Sequence, residues 1–226
     1  MPDEAALLAM LQHADSFFPA GTTAFSWGIE ALRADRHLRS AAELEAFIAA
    51  QFEHRWARCD RAFLVWAHRR HRDLPQVAII DRQADAMALP REQREGSIRA
   101  GAALLGMHER LGTPGAGAYR LLVRDHRAPG HLAVMQGLAC AGVGLDEASS
   151  AAAAAHGFAQ GLVGAALRLA MIGHVDAQRI LTKLRPLLAR WLAGAVPDLT
   201  DIAAFTPQTD IAMMRHEAQT VRLFAS

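Results

Sequence analysis

Lysine and tyrosine are almost missing from this chain: Lys183 is the single lysine and Tyr119 the single tyrosine in 226 residues. Lys183 sits in Leu181-Thr182-Lys183-Leu184, without the glycines that cradle phosphates, so a P-loop nucleotide site is excluded. Cysteine is scarce as well. Cys59 and Cys140 lie far apart and neither belongs to a CxxC pair, which removes zinc-ribbon and thioredoxin-type readings and suits a reduced cytoplasm. An excess of either charge is also lacking: 24 Lys and Arg against 23 Asp and Glu leave a formal charge of +1. No block of like charges is long enough for a nucleic-acid stripe, so nucleic acid is not an expected partner. Asp3 and Glu4 stand where a secretory leader carries positive charge, and no apolar core with a cleavage site follows. Export is not expected.

Hydrophobic residues make up 52% of the chain. A chain of this length buries roughly 70% of its unfolded surface, enough for one substantial core, and residues 1–226 read as a single domain. Strand signals are nearly absent while helix starts and stops recur, which predicts an all-α, irregular bundle of roughly nine or ten helices. Leu7, Leu8 and Leu11 mark a first helix ending near Ala14, and a second spans about 25–33. Ser40-Ala41-Ala42-Glu43 is a capping box. It opens a helix with Leu44, Phe47, Ile48, Phe52 and Trp56 on one stripe, continued by 60–71 with Phe63, Leu64 and Ala67. Pro75 punctuates, and helices follow over 76–88 and 91–110. The stretch 119–123 is short, 131–141 is helical, Asp146 caps a long helix reaching Ile172, and Asp176 caps another to about Ala193. No fixed period marks a repeat array.

The alanine-rich 151–172 segment is no membrane span, because His156, Gln160 and Arg168 interrupt it. Gly157, Gly161 and Gly164 are expected to let another helix approach closely. Enzymatic motifs find little support. Ala24-Phe25-Ser26-Trp27-Gly28 misses the G-x-S-x-G elbow by one glycine, and the strand that elbow needs is not predicted. Gly142-Val143-Gly144 has two glycines of a dinucleotide fingerprint and no strand before it. His216-Glu217 resembles the start of H-E-x-x-H, but Thr220 occupies the second histidine position. His68 and His71 lie one turn apart, yet Arg69 and Arg70 between them disfavour a cation. No catalytic, cofactor or metal residues are therefore assigned.

The end of the chain is the most informative part. Phe205-Thr206-Pro207 breaks any preceding helix, and a new one is expected with Asp210 as its cap. Ile211, Met214, Ala218 and Val221 would share one face, with Arg215, Gln219 and Arg222 on the other. So short a helix is marginal in water; it must dock on its own domain or be ordered by a partner. The segment from about 205 to 226 therefore reads as a partner-binding tail.

These elements together resemble the UreF family of urease accessory proteins, over nearly the whole chain. Asp15-Ser16-Phe17-Phe18-Pro19-Ala20-Gly21 with Phe25-Ser26-Trp27-Gly28-Ile29-Glu30 resembles the family's LPxGxFxxSxGLE element. Arg94-Glu95-Gly96-Ser97, Gly101 and Leu104-Leu105 resemble its middle element. Arg168-Leu169, Ile172-Gly173 and Asp176-Ala177-Gln178 resemble RLxxIGQxDAQ, and the tail resembles SFxPxxDIAxMxHExQxxRLFxS. The chain departs at Thr22-Thr23-Ala24, longer and more polar than the family pattern, and at His174, where the family has glutamine. The resemblance implies a non-enzymatic, cytoplasmic, dimeric chaperone. It would bridge the accessory protein UreD (also called UreH) to the GTPase UreG for GTP-dependent nickel delivery to apo-urease, with nickel and GTP handled by the partners. Arg215, His216, Glu217, Arg222 and Phe224 carry over as contact residues toward UreD, and Phe25, Ser26, Gly28 and Glu30 beside them. Two rivals stand on the residues alone: a helical scaffold unrelated to urease, and a hydrolase using Ser26 with a distant histidine.

Overall fold

A computed structural model describes residues 4–15, 18, 25–216 and 223–224. Among them there is no strand. The helices run α1 (Glu4–Ala14), α2 (Ile29–Ala34), α3 (Ala41–Gln51), a π-helical stretch (Phe52–Asp60), α4 (Arg61–Arg69), α5 (Leu74–Met87), α6 (Arg91–Arg110), α7 (Ala116–Arg124), α8 (Leu132–Gly142), α9 (Glu147–Arg168), α10 (His174–Ala193) and α11 (Pro207–His216). The backbone stays helical from α3 through the π stretch into α4, since Phe52 and Arg61 at the two junctions keep right-handed helical dihedrals. Residues 41–69 thus form one rod, and the described residues form a bundle of ten helices, within the number the caps predict.

That rod joins two cores. Its first half sends Leu44, Ile48, Phe52 and Trp56 into a core completed by α2, α9, α10 and α11. From the end of the π stretch onward, Cys59, Ala62, Phe63 and Ala67 enter a second core with α5, α6, α7 and α8, while Leu64 and Val65 of α4 still face the first. A π-helix closes i to i+5 rather than i to i+4 hydrogen bonds, so the stretch re-phases the rod's side chains between the two cores. The stripe of aliphatic and aromatic residues was legible in the sequence; the change of period was not.

Local chemistry explains most boundaries. Ser40 Oγ accepts the Glu43 amide at 3.2 Å, but Glu43 Oε2 reaches past the cap to the Arg39 amide at 2.6 Å, a capping box displaced by one residue. Asp73 Oδ1 and Asp146 Oδ1 cap α5 and α9 through the amides of Gln76 and Ser149. Three expected boundaries move. Pro75 lies in the first turn of α5, where its missing N–H costs nothing. Asp176 lies within the first turn of α10, whose cap is Gly173, and α9 stops at Arg168, four residues short of Ile172.

The closest helix contact is made by α8 on α4. A Cβ added at Gly137 would stand 2.1 Å from the Leu64 carbonyl oxygen, so only glycine lets these backbones meet. No helix among the described residues is long and apolar enough to cross a membrane.

Candidate functional site

The two chain ends expected to carry function meet at one corner of the bundle. Trp27 and Gly28 take left-handed dihedrals (φ 53° and 78°), which turns the chain sharply into α2. Gly28 then faces Met213 and Thr209 of α11, each with an atom 3.4 Å from where its Cβ would be. Phe25 is buried against Gly96 of α6, under the Arg99 guanidinium 5.7 Å from its ring centre. Ser26 is fully buried and its carbonyl accepts the Ile29 amide at 3.0 Å. A hydroxyl so enclosed is out of reach of a substrate, which removes Ser26 as a nucleophile.

Helix α11 begins at Pro207, and Asp210 lies inside its first turn. Its buried face is Thr209, Ala212, Met213 and His216. Ile211 and Met214, expected to share one face, are 56% and 47% exposed, so that face is not the one docked on the bundle. Two polar residues take the inner positions because each has partners there. Gln51 Nε2 donates to Thr209 Oγ1 at 2.7 Å, and the wholly buried His216 ring lies between two carboxylates. Burial of a polar group is tolerated when it is hydrogen-bonded.

The histidine contacts are the centre of the corner. His216 Nδ1 is 2.8 Å from Glu92 Oε2 at the start of α6, and Nε2 is 3.1 Å from Glu30 Oε2 on α2. Each ring nitrogen thus has a carboxylate oxygen as its partner. Glu30 also holds the end of the chain, where its Oε1 accepts the Leu223 amide at 2.8 Å and its Oε2 the Phe224 amide at 3.1 Å. The Phe224 side chain is buried in the first core beneath Arg168, whose guanidinium carbon is 4.4 Å from the ring centre. Leu223 turns outward at 63% exposure. Arg215 projects to the surface and pairs with Asp35 at 2.9 Å.

Of the residues singled out in the sequence, Phe25, Ser26, Glu30, His216 and Phe224 thus converge on one corner with their side chains turned inward around the Gly28 turn, and Arg215 stands on its outer surface. Glu217 and Arg222 lie outside the described residues. Glu92 was missed, because a first-turn glutamate reads as a helix-dipole partner and nothing local shows that it is buried.

A cavity of about 610 Å³ opens beside this corner, with Trp27, Phe158 and Arg168 among its lining residues. Gly157, Gly161 and Gly164 line it too, and a Cβ at any of them would meet nothing within 4 Å. Among the described residues, no neighbouring atom comes within 4 Å of a Cβ at these positions, so the expected close helix approach is not seen there. On another wall Ser97 Oγ stands 3.1 Å from His131 Nδ1, whose Nε2 is 3.0 Å from Asp85 Oδ1. Ser97 Oγ also accepts the Leu132 amide at 3.1 Å, while the buried Asp81 carboxylate accepts the amides of Gly130 and His131 at 2.7 and 2.8 Å. The trio anchors the start of α8 to α5 and α6. His68 and His71 each place a ring nitrogen 2.8 Å from a backbone carbonyl. No group of three or more metal-ligand side chains gathers among the described residues.

The family model for UreF matches residues 38–185, well over half of the chain. The chain belongs to the UreF family. Proteins named urease accessory protein UreF are similar to it from end to end. The one from Cereibacter sphaeroides (strain KD131) is 33% identical over 97% of this chain and 98% of its own length. That of Trichodesmium erythraeum is 31% identical over 97% and 96%, and that of Rhizobium etli 31% over 98% and 96%. These alignments run beyond the family match at both ends, so similarity to UreF proteins extends across the corner formed by α2 and α11.

Proposed function

We propose that this chain is a urease maturation chaperone that joins UreD and UreG into the complex delivering nickel to apo-urease. It acts without catalysis, as a homodimer in the cytoplasm, and nickel and GTP are handled by its partners. Similarity to urease accessory proteins along the whole length of both chains is the observation that carries this reading. The α11 corner supports a docking role for the tail. Its inner face is satisfied by the bundle, while Ile211, Met214 and Arg215 are exposed on α11, and Phe205 before the helix and Leu223 after it are exposed too, Phe205 at 76%. Apolar anchors flanked by arginine make good binding hot spots.

Co-purification with UreD and UreG from the same organism tests this, comparing the native chain with an Ile211→Ser/Met214→Ser variant. Both side chains are exposed, so melting should stay within about 0.5 kcal/mol of wild type per site, while UreD capture falls by about 2 kcal/mol or more in affinity. Nickel-dependent urease activity in cells should fall with it. Normal capture and normal activation by this variant would reject the outer face of α11 as the docking surface, and absence of UreD and UreG from the native preparation would reject the bridging role.

A further inference from the structure

The geometry points to Glu30 as the positioning residue of the tail, held in place by a relay from Glu92 through His216; this rests on the docking role proposed above. Residues near the end of a chain are ordinarily poorly ordered unless tied down. Here the tie is specific. One carboxylate accepts two successive backbone amides, Leu223 on Oε1 and Phe224 on Oε2. Phe224 enters the core under Arg168 while Leu223 is turned out. The Glu30 carboxylate thus holds the backbone at the point where one side chain faces outward and the next faces the core.

The carboxylate can do this only if it does not rotate. His216 Nε2 fixes Oε2 from the α11 side, and Glu92 fixes the ring in turn through Nδ1. His216 and Glu92 are both buried, so neither has water as a ready alternative partner. Among the described residues, the other charges at this corner include Arg168 over Phe224, Arg99 over Phe25, the Arg215–Asp35 pair, and Asp210 in the first turn of α11, near Arg55. The relay connects three segments distant in sequence: the Gly28 turn with α2, the first turn of α6, and α11 with the tail. It also gives one purpose to the glutamate that ends the N-terminal element, the histidine of α11 and the terminal Leu-Phe pair. Chemistry of this kind recognises backbone amides, not side chains, so substitutions at Leu223 should leave the tie intact.

Amide hydrogen exchange on the full chain, with and without UreD from the same organism, tests the inference. Glu30→Gln keeps the shape and one acceptor oxygen but loses the second and the charge. The Leu223 and Phe224 amides should exchange roughly tenfold faster or more, the value of a charge-assisted hydrogen bond, while α9 amides keep their rates. UreD affinity should fall by a comparable factor. Glu92→Ala, which frees the ring, should loosen the same two amides, and Glu92→Gln, which keeps an acceptor for Nδ1, should restore most of their protection. A purely structural role would instead shift the melt and exchange throughout α2 and α11. Unchanged exchange at Leu223 and Phe224 in both Glu30→Gln and Glu30→Ala overturns the relay. Faster exchange with undiminished UreD binding overturns its role in docking. Failure of the Ile211→Ser/Met214→Ser test rejects the docking face alone, because the exchange rates are read without the partner.

Discussion

Gly137 on α8 and Gly161 on α9 are the same residue in the middle of two buried helices, and they meet opposite surroundings. At Gly137 the α4 backbone is so close that an added carbon would lie 2.1 Å from the Leu64 carbonyl; at Gly161 it would meet nothing within 4 Å. The difference lies in what each helix offers elsewhere. Helix α9 packs through its other side chains, among them Ala151, Ala155, Ala159 and Ala166, which already let it sit deep in the first core. Its glycines are left to form a wall of the cavity. A glycine run in a sequence therefore marks where the backbone is bare, and only the neighbouring elements decide whether that bareness admits a helix or an empty space.

The strongest test of this contrast is Gly137→Ala. The new methyl must push against backbone, which cannot swing aside, so α4 and α8 have to separate. Denaturant unfolding should show a loss of about 3 kcal/mol or more, at the upper end of overpacking costs. Gly101→Ala should behave alike, since its Cβ would lie 2.0 Å from the Gly130 carbonyl oxygen. A loss below about 1 kcal/mol at both sites would mean that the close contacts do not hold the second core together.

The cavity has a second wall, and it differs from the glycine wall in being titratable. His108 on α6 is fully buried, with Nδ1 2.9 Å from Thr113 Oγ1 and Nε2 3.1 Å from His13 Nε2 on α1. Burial, and then the facing His13, push its pKa down to about 4 from the ordinary 6.5. The sign follows: between those values the unfolded chain binds a proton at this position that the folded chain refuses. Stability is therefore full above about pH 6.5 and falls as the pH drops toward 4, by on the order of 3 kcal/mol from this group. Melts at a series of pH values should show the slope in the native chain and a shallower one in His108→Gln. Parallel slopes would reject the assignment.

How much of this was legible depended on whether a feature is local. Helix α6 was read to its end residues because Pro90 and the Gly112-Thr113-Pro114-Gly115 run punctuate it, and the caps at Ser40 and Asp146 act within one turn. The corner was legible as a set of residues and not as a geometry. Glu30 and His216 are 186 positions apart, and their contact depends on how α2 is set by the Gly28 turn. Which face of α11 docks on the bundle was not legible for a related reason. Ile211 and Met214 stand out by hydropathy, whereas Thr209 and His216 qualify for burial only once Gln51, Glu30 and Glu92 are known to face them. The π stretch left no trace in residue pattern, since its side chains read as a continuation of the same helix.

The smallest effect sharpens the comparison most. If the α9 glycines truly face open space, then alanine at Gly157, Gly161 or Gly164 gains helix propensity and meets no obstacle. Each substitution should stabilise the isolated chain by about 0.5–1 kcal/mol, which for a domain of this size raises the melting temperature by roughly 2–4 °C per kcal/mol. Gly161→Ala is the most informative of the three, because its position is flanked on the same face by the other two and so samples the middle of the wall. Destabilisation there would show that another element reaches the glycines in solution, as close helix packing requires, and the contrast with Gly137 would collapse. Stabilisation of the free chain, measured together with UreD and UreG assembly, separates two uses of the same space. Assembly that survives the added methyl leaves the wall as a lining of the fold, whereas assembly that fails despite a more stable monomer identifies the bare face of α9 as ground that the complex occupies.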